Sequence, residues 1–179
     1  MSIRLLLFTF AILVTACGGG TNEDSSPALA KPTIKTPIHI QSIIPYAKGN
    51  HIASNIKSEC LLNTQLSEFI AKHAEENGMT IVRGKASSNA KGHVLLIEIT
   101  DAISSGNAFI GHRKFVSIKG TLYKDGKKLA GFSGRRNSMG GFWGGFKGSC
   151  SVLGRTVEAL GGDVARWLHS PVDGMHLGD

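Results

Sequence analysis

From Thr36 to Tyr46 the chain alternates apolar and polar residues (T-P-I-H-I-Q-S-I-I-P-Y), which predicts a strand, and its prolines place that strand near a sheet edge. Ser58 then offers an N-cap. Leu62, Leu66, Phe69, Ile70 and His73 recur at helical spacing up to a stop at Asn77-Gly78, so a first helix is expected with Cys60 in its first turn. Met79 to Gly84 reads as a short strand and residues 85–92 as a loop. His93 to Ile103 (H-V-L-L-I-E-I-T-D-A-I) is the strongest strand pattern, and its V-L-L-I run suits a central strand covered on both faces for part of its length. Arg113 to Tyr123 and Lys127 to Arg135 flank Asp125-Gly126, a two-residue hairpin signal. Such a loop pairs Leu122 with Leu129 and sets Gly120 opposite Gly131, leaving a furrow for a helix or an aromatic such as Trp143 unless a bulge intervenes.

A second helix is expected from near Cys150. Leu153, Val157, Leu160, Val164, Trp167 and Leu168 trace its apolar face, with Arg155, Glu158, Asp163 and Arg166 mostly outside it. Gly161-Gly162 suggests a kink or close packing on the sheet. After Ser170-Pro171 the tail, residues 170–179, reads as frayed. The order β-α-β-β-β-β-α predicts an α+β fold, a two-layer sandwich with a mostly antiparallel sheet of about five strands and two helices on one face.

Ahead of the first strand the pattern changes. Arg4 precedes an apolar run from Leu5 to Val14. That run is about half the roughly 20 residues needed to span a bilayer, and it suits the apolar region of a secretory leader. It ends in Val14-Thr15-Ala16-Cys17, which resembles the lipobox of bacterial lipoproteins. The resemblance implies that residues 1–16 are a signal peptide. It also implies that Cys17 becomes an N-terminus bearing a diacylglyceryl group and a further acyl chain such as palmitate, enough for stable anchoring. Gly18-Gly19, where Asp would signal inner-membrane retention, implies the periplasmic side of the outer membrane in a Gram-negative host. Residues 17–36, rich in Gly, Ser, Thr, Asn, Ala and Pro, read as a flexible tether, and 37–169 as a single α+β domain.

Besides Cys17 the chain has two cysteines, Cys60 and Cys150. In an oxidising compartment an even pair is most simply one disulfide, which would require the two helix starts to meet and the helices to run roughly parallel. A reactive thiol is the alternative, weakened by the absence of C-x-x-C and of an obvious histidine partner.

The stretch from Gly134 to Ser151 (G-R-R-N-S-M-G-G-F-W-G-G-F-K-G-S-C-S) is an unusual connector, rich in glycine, aromatics and cations and without a carboxylate. Arg135, Arg136, Phe142, Trp143, Phe146 and Lys147 are its candidate interaction residues. The aromatics either fold over the core as a lid or form an exposed patch that meets a partner protein or a headgroup layer. Lys147, leading into the start of the second helix, and Arg135 and Arg136, at the other end of the same loop, could together hold a phosphate or carboxylate. Otherwise Ser149 or Ser151 caps that helix and the cations are solvated.

The chain carries 20 Lys and Arg against 13 Asp and Glu, a net charge of +7, which suits contact with anionic lipid or glycan phosphates. Nucleic acid is not an expected partner of an exported, tethered protein. There is no G-x-S-x-G, H-E-x-x-H or G-x-x-x-x-G-K-[ST] motif, and the seven histidines lack ligand spacing, so no catalytic residue, metal or cofactor is assigned. His73 reads as a core or rim residue. Glu98 and Asp101, three apart on a strand, should point to opposite faces.

The whole pattern of lipobox, tether, α+β domain, R-x-S-M-G-G-like loop and final helix resembles small, uncharacterised proteobacterial envelope lipoproteins. Such proteins have no assigned activity to transfer. The expectation is a non-enzymatic, periplasm-facing interaction or assembly module anchored to the membrane through acylated Cys17. A binding domain for an anionic envelope ligand is the alternative.

Overall fold

The structure, a computed structural model, describes residues 34–107, 111–138 and 148–179. The leader, Cys17, the tether up to residue 33, and Phe142, Trp143, Phe146 and Lys147 lie outside the described residues. The elements in chain order are β1 (Ile38–Gln41), α1 (Ser54–Glu59), α2 (Leu62–Glu76), β2 (Ile81–Gly84), β3 (His93–Asn107), β4 (Gly111–Lys124), β5 (Lys127–Ser138), α3 (Ser149–His169) and β6 (Met175–Gly178).

The fold is α+β, with α2 and α3 as its two main helices, as the hydrophobic periods predict. The sheet has six strands in the order β2-β1-β3-β4-β5-β6. It is mixed rather than mostly antiparallel: β3, β4 and β5 form an antiparallel meander, whereas β1 runs parallel to both β2 and β3, and β6 runs parallel to β5. Parallel neighbours need a crossover connection. The α1–α2 segment supplies it between β1 and β2, and α3 supplies it between β5 and β6.

One face of the sheet carries the core. Leu95, Ile97, Ile99 and Ala102 of β3 stand in register with Leu122, Gly120, Ile118 and Val116 of β4, and their apolar side chains are buried in one cluster with Leu66, Ile70, Leu153, Leu160 and Val164 of the helices. Val94, on the opposite face from Leu95 and Ile97, is also fully buried, in keeping with the two-sided burial expected of the V-L-L-I run.

Two bulges change what alternation alone predicts. In β3 the register passes from Ile99↔Ile118 to Asp101↔Ser117, so Thr100 is the extra residue. Glu98 and Asp101 therefore share the helix-free face instead of pointing to opposite faces. In the hairpin the register passes from Leu122↔Ala130 to Tyr123↔Lys128, so Leu129 is extra and Gly120 sits opposite Phe132, not Gly131. The bulge thus removes the glycine-pair furrow, and Gly120 instead accommodates a ring from across the ladder. The Phe132 ring lies over Gly120, where any side chain would collide with it, and packs edge-on against Trp167 at 4.7 Å between centroids.

The first helix is broken in two. Ile56 and Cys60 are buried one helical turn apart, and Leu62, Leu66 and Ile70 are buried on a second helical period. Leu61, with φ 49° in the left-handed region, re-phases the chain between them. Ser58 is thus inside α1 rather than an N-cap, and Cys60 is the junction. The predicted stop holds, with Gly78 at φ 75° and its N–H donated to the Glu75 carbonyl.

Cys60 and Cys150 form a disulfide across a separation of 90 residues, with the Cα atoms 4.7 Å apart. The helices it joins run parallel, since Gly154, Gly161 and Gly162 of α3 meet Gln65, Phe69 and His73 of α2 in ascending order. Gly161 provides close packing on α2 rather than on the sheet: a Cβ there would stand 2.6 Å from that of Phe69 and 3.1 Å from the Ile70 backbone nitrogen. Gly161→Val is expected to cost about 2 kcal/mol in urea unfolding, the range for forcing volume into a packed interior. Gly162→Ala, which meets nothing closer than 3.6 Å, should be neutral or mildly stabilising.

The tail is not frayed. Met175–Gly178 extends the sheet, and Leu177 is buried. Gly174 donates its N–H to the Gly131 carbonyl at 2.8 Å, and Asp173 Oδ1 accepts from the Gly131 N–H at 2.6 Å and pairs with Lys128 at 3.0 Å. A strand of four residues with a single buried side chain leaves no apolar period to read.

Candidate functional site

The strands give the domain two ends. At one lie the Asp125-Gly126 turn, with φ 49° and 82° as a tight hairpin demands, and the chain's entry at Ile34. At the other lie Ser138 and Gly148, between which residues 139–147 fall, together with the disulfide. The 12 residues of β5 separate the two by about 36 Å at 3.3 Å per residue.

Arg135 and Arg136 sit near the disulfide end of β5, and the pleat sends them to opposite faces. On the helix-free face, the Arg135 guanidinium carbon stands 3.7 Å from the Phe115 ring centroid, and its Nε donates to Asn137 Oδ1 at 3.2 Å. Arg136 faces the helices. Its Nε and Nη2 donate to the two carboxylate oxygens of Asp163 at 2.7 and 2.9 Å, and its Nη1 donates to Asp179 Oδ1 at 2.7 Å. Arg166 also donates to Asp163. Asp163 is 5% exposed, so it belongs to the interior and not to the solvated side of the helix. The carboxylates hold the Arg136 guanidinium firmly charged. The Asn137 backbone N–H, with help from Arg136, holds the Asp179 carboxyl below its usual range. The cluster joins α3, β5 and the segment after β6.

These contacts decide what the two arginines can offer. Arg136 is committed to two carboxylates, and an external anion would have to displace them. Arg135 stands over the Phe115 ring and is tied to Asn137. Neither converges with the start of α3, whose N-cap is Gly148 with no side-chain cap, so neither Ser149 nor Ser151 caps the helix. His73 is a rim residue bonded to Glu76 at 2.9 Å. Among the described residues no group of three or more His, Cys, Asp and Glu side chains converges on a metal-sized site, and no helix is long and apolar enough to cross a membrane.

The turn end holds a feature that sequence reasoning missed. A hollow of about 590 Å³ is lined by Ile34, Leu122, Leu129, Ala130 and Pro171, with Lys35, Thr36, His93 and Lys124 around them. The β5 bulge turns Leu129 outward, leaving it 49% exposed. His93 is buried and shares a 2.7 Å hydrogen bond with Thr36. Burial, with Lys124 nearby, pushes its imidazole below the ordinary value against the opposing pull of Asp125. Lysines flanking the Asp-Gly turn are visible in the sequence, but only the topology brings Lys35 beside them.

No protein-family model matches the chain, and no curated protein matches it. Among solved structures the chain is similar to protein XCC0632 of Xanthomonas campestris, of family DUF330, with a TM-score of 0.55 at 9% identity over 77% of this chain and 86% of that one. A PelC dodecamer from Paraburkholderia phytofirmans gives a TM-score of 0.45 at 15% identity, over 76% of this chain and 91% of that one. A minor lipoprotein from Acinetobacter baumannii gives 0.44 at 8% identity, over 75% and 92%. The likeness to the Xanthomonas protein is one of fold.

Proposed function

We propose that the chain is a non-enzymatic lipoprotein, acylated at Cys17 and facing the periplasm from the outer membrane, whose α+β domain is an interaction or assembly module. The observation that carries this reading is the opposition of the two ends. The segment leading back to Cys17 enters at the turn end, and residues 139–147, with Phe142, Trp143, Phe146 and Lys147, leave β5 at the other, about 36 Å away. β5 therefore hands the chain to its glycine- and aromatic-rich stretch at the end of the domain opposite the one that the anchor segment enters. The Cys60–Cys150 disulfide supports an exported location, where such bonds persist.

The alternative, capture of an anionic envelope ligand by Arg135, Arg136 and Lys147, is less favoured because Asp163 and Asp179 already occupy Arg136.

Mass spectrometry of the protein purified from membranes tests the anchor. The expected N-terminal peptide begins at Cys17 and carries diacylglyceryl and acyl mass, and Cys17→Ser releases the protein from the membrane fraction. An unmodified Cys17 with unchanged membrane association would refute it. For the module, Trp143→Ala is expected to fold normally and to lose a co-purifying envelope partner. Retention of every partner would count against the 139–147 stretch as the contact.

A further inference from the structure

We infer that the turn end of the domain is a docking surface for an anionic phospholipid bilayer, resting on the membrane in which Cys17 is anchored. The inference builds on the acylation of Cys17 and adds an orientation to it. Three observations converge. First, the chain enters the domain at Ile34, inside the hollow, only 17 residues beyond Cys17. A segment that long spans at most about 60 Å fully extended, so this end is within reach of the bilayer and is the first part of the domain that the anchored chain meets.

Second, the charge there is lopsided. Lys35, Lys91, Lys124, Lys127 and Lys128 are all exposed around the turn and the hollow, against Asp125 and Asp173. The two aspartates are engaged internally: Asp125 accepts the Gly92 N–H at 2.9 Å, and Asp173 holds Lys128 and the Gly131 N–H. Among the described residues the other four lysines make no ion pair.

Third, exposed apolar side chains sit among these cations. Leu129 is 49% exposed and Val172, beside Pro171 of the hollow, is 52% exposed. Lysines around exposed aliphatic residues are the composition of a surface that lies in a headgroup layer, cations on phosphates and apolar tips just below them. The bulge gives Leu129 a physical reason to face outward, since a regular hairpin register would pair it in the ladder.

The test uses the mature chain, residues 17–179, with Cys17→Ser and its disulfide intact, so that binding depends on the domain surface alone. It is sedimented with vesicles of phosphatidylcholine, and with vesicles of phosphatidylcholine and phosphatidylglycerol, at low and at physiological salt. The expected result is binding to the anionic vesicles only, weakened by salt. Each lysine near an anionic surface strengthens binding about fivefold, so Lys124→Gln with Lys127→Gln should weaken it about 25-fold. Lys48→Gln with Lys119→Gln removes the same charge from exposed positions away from the turn and should leave it within about twofold. Equal losses in the two double variants would overturn the proposal in favour of diffuse attraction to a basic protein. Absence of binding to anionic vesicles at low salt would overturn it outright. Neither result bears on whether Cys17 is acylated, which the N-terminal mass decides separately.

Discussion

Replacing both Cys60 and Cys150 by serine is expected to lower the unfolding free energy by about 4 kcal/mol, the largest effect of any substitution considered. The bond closes a loop of 90 residues, and in the chain-entropy account a loop of that size restrains the unfolded chain by about 4.6 kcal/mol, somewhat more than engineered bonds usually deliver. The native state also depends on where the bond sits. It pins the α1–α2 junction, where Leu61 adopts a left-handed conformation, to the first turn of α3. A six-residue helix such as α1 does not hold itself together in water, so its position rests on Ile56, Cys60 and the bond. Urea unfolding of the oxidised protein and of the double-serine variant measures the loss, and the reduced protein should match the variant. A difference under about 1 kcal/mol would show that packing of α2 on α3 suffices.

Asp163→Ala is expected to cost about 3 kcal/mol. The substitution removes a buried carboxylate that accepts a forked pair of hydrogen bonds from Arg136 and a further one from Arg166, and leaves the Arg136 charge without its inner partner. Breaking a buried ion pair from one side costs about 3–5 kcal/mol, and the lower end applies because Arg136 is partly exposed and keeps Asp179. Arg166→Ala, which removes a largely exposed partner, should cost less than about 1 kcal/mol. The two variants compared by urea unfolding separate the roles. Equal small losses would mean that the cluster is solvated and that β6 is held by Leu177 and its backbone bonds alone.

The elements with long apolar periods were legible in the sequence. Val94 to Ile99, the Asp125-Gly126 turn, the stop at Asn77-Gly78 and the apolar face of α3 each carry many mutually consistent residues, and each forms as its pattern predicts. The disulfide was legible because, beside Cys17, the chain has a single pair of cysteines to join. The remainder depends on single residues whose local signal is outweighed by tertiary contacts. Thr100 and Leu129 are ordinary strand formers, and nothing in their neighbours marks them as extra residues. Asp163 lies outside the apolar stripe of α3, yet a partner 27 residues earlier draws it inside. Strand β6 is held by the burial of Leu177 and by the carboxylates of Asp173 and Asp179, which accept backbone N–H groups of β5, so no period announces it. Of the candidate interaction residues, only Arg135 and Arg136 fall within the described residues. Their placement on opposite faces follows from the pleat, but the carboxylates that occupy Arg136 come from distant parts of the chain.

The central claim is that a lipid-anchored domain presents its 139–147 stretch to another envelope component. Photo-crosslinking in intact cells from a probe amino acid at position 143, with products identified by mass spectrometry, tests it most directly. The account predicts a discrete adduct with one envelope protein, formed only when Cys17 can be acylated. Crosslinks confined to this chain's own α3 and β5 would contradict it and make the stretch a cover for the core.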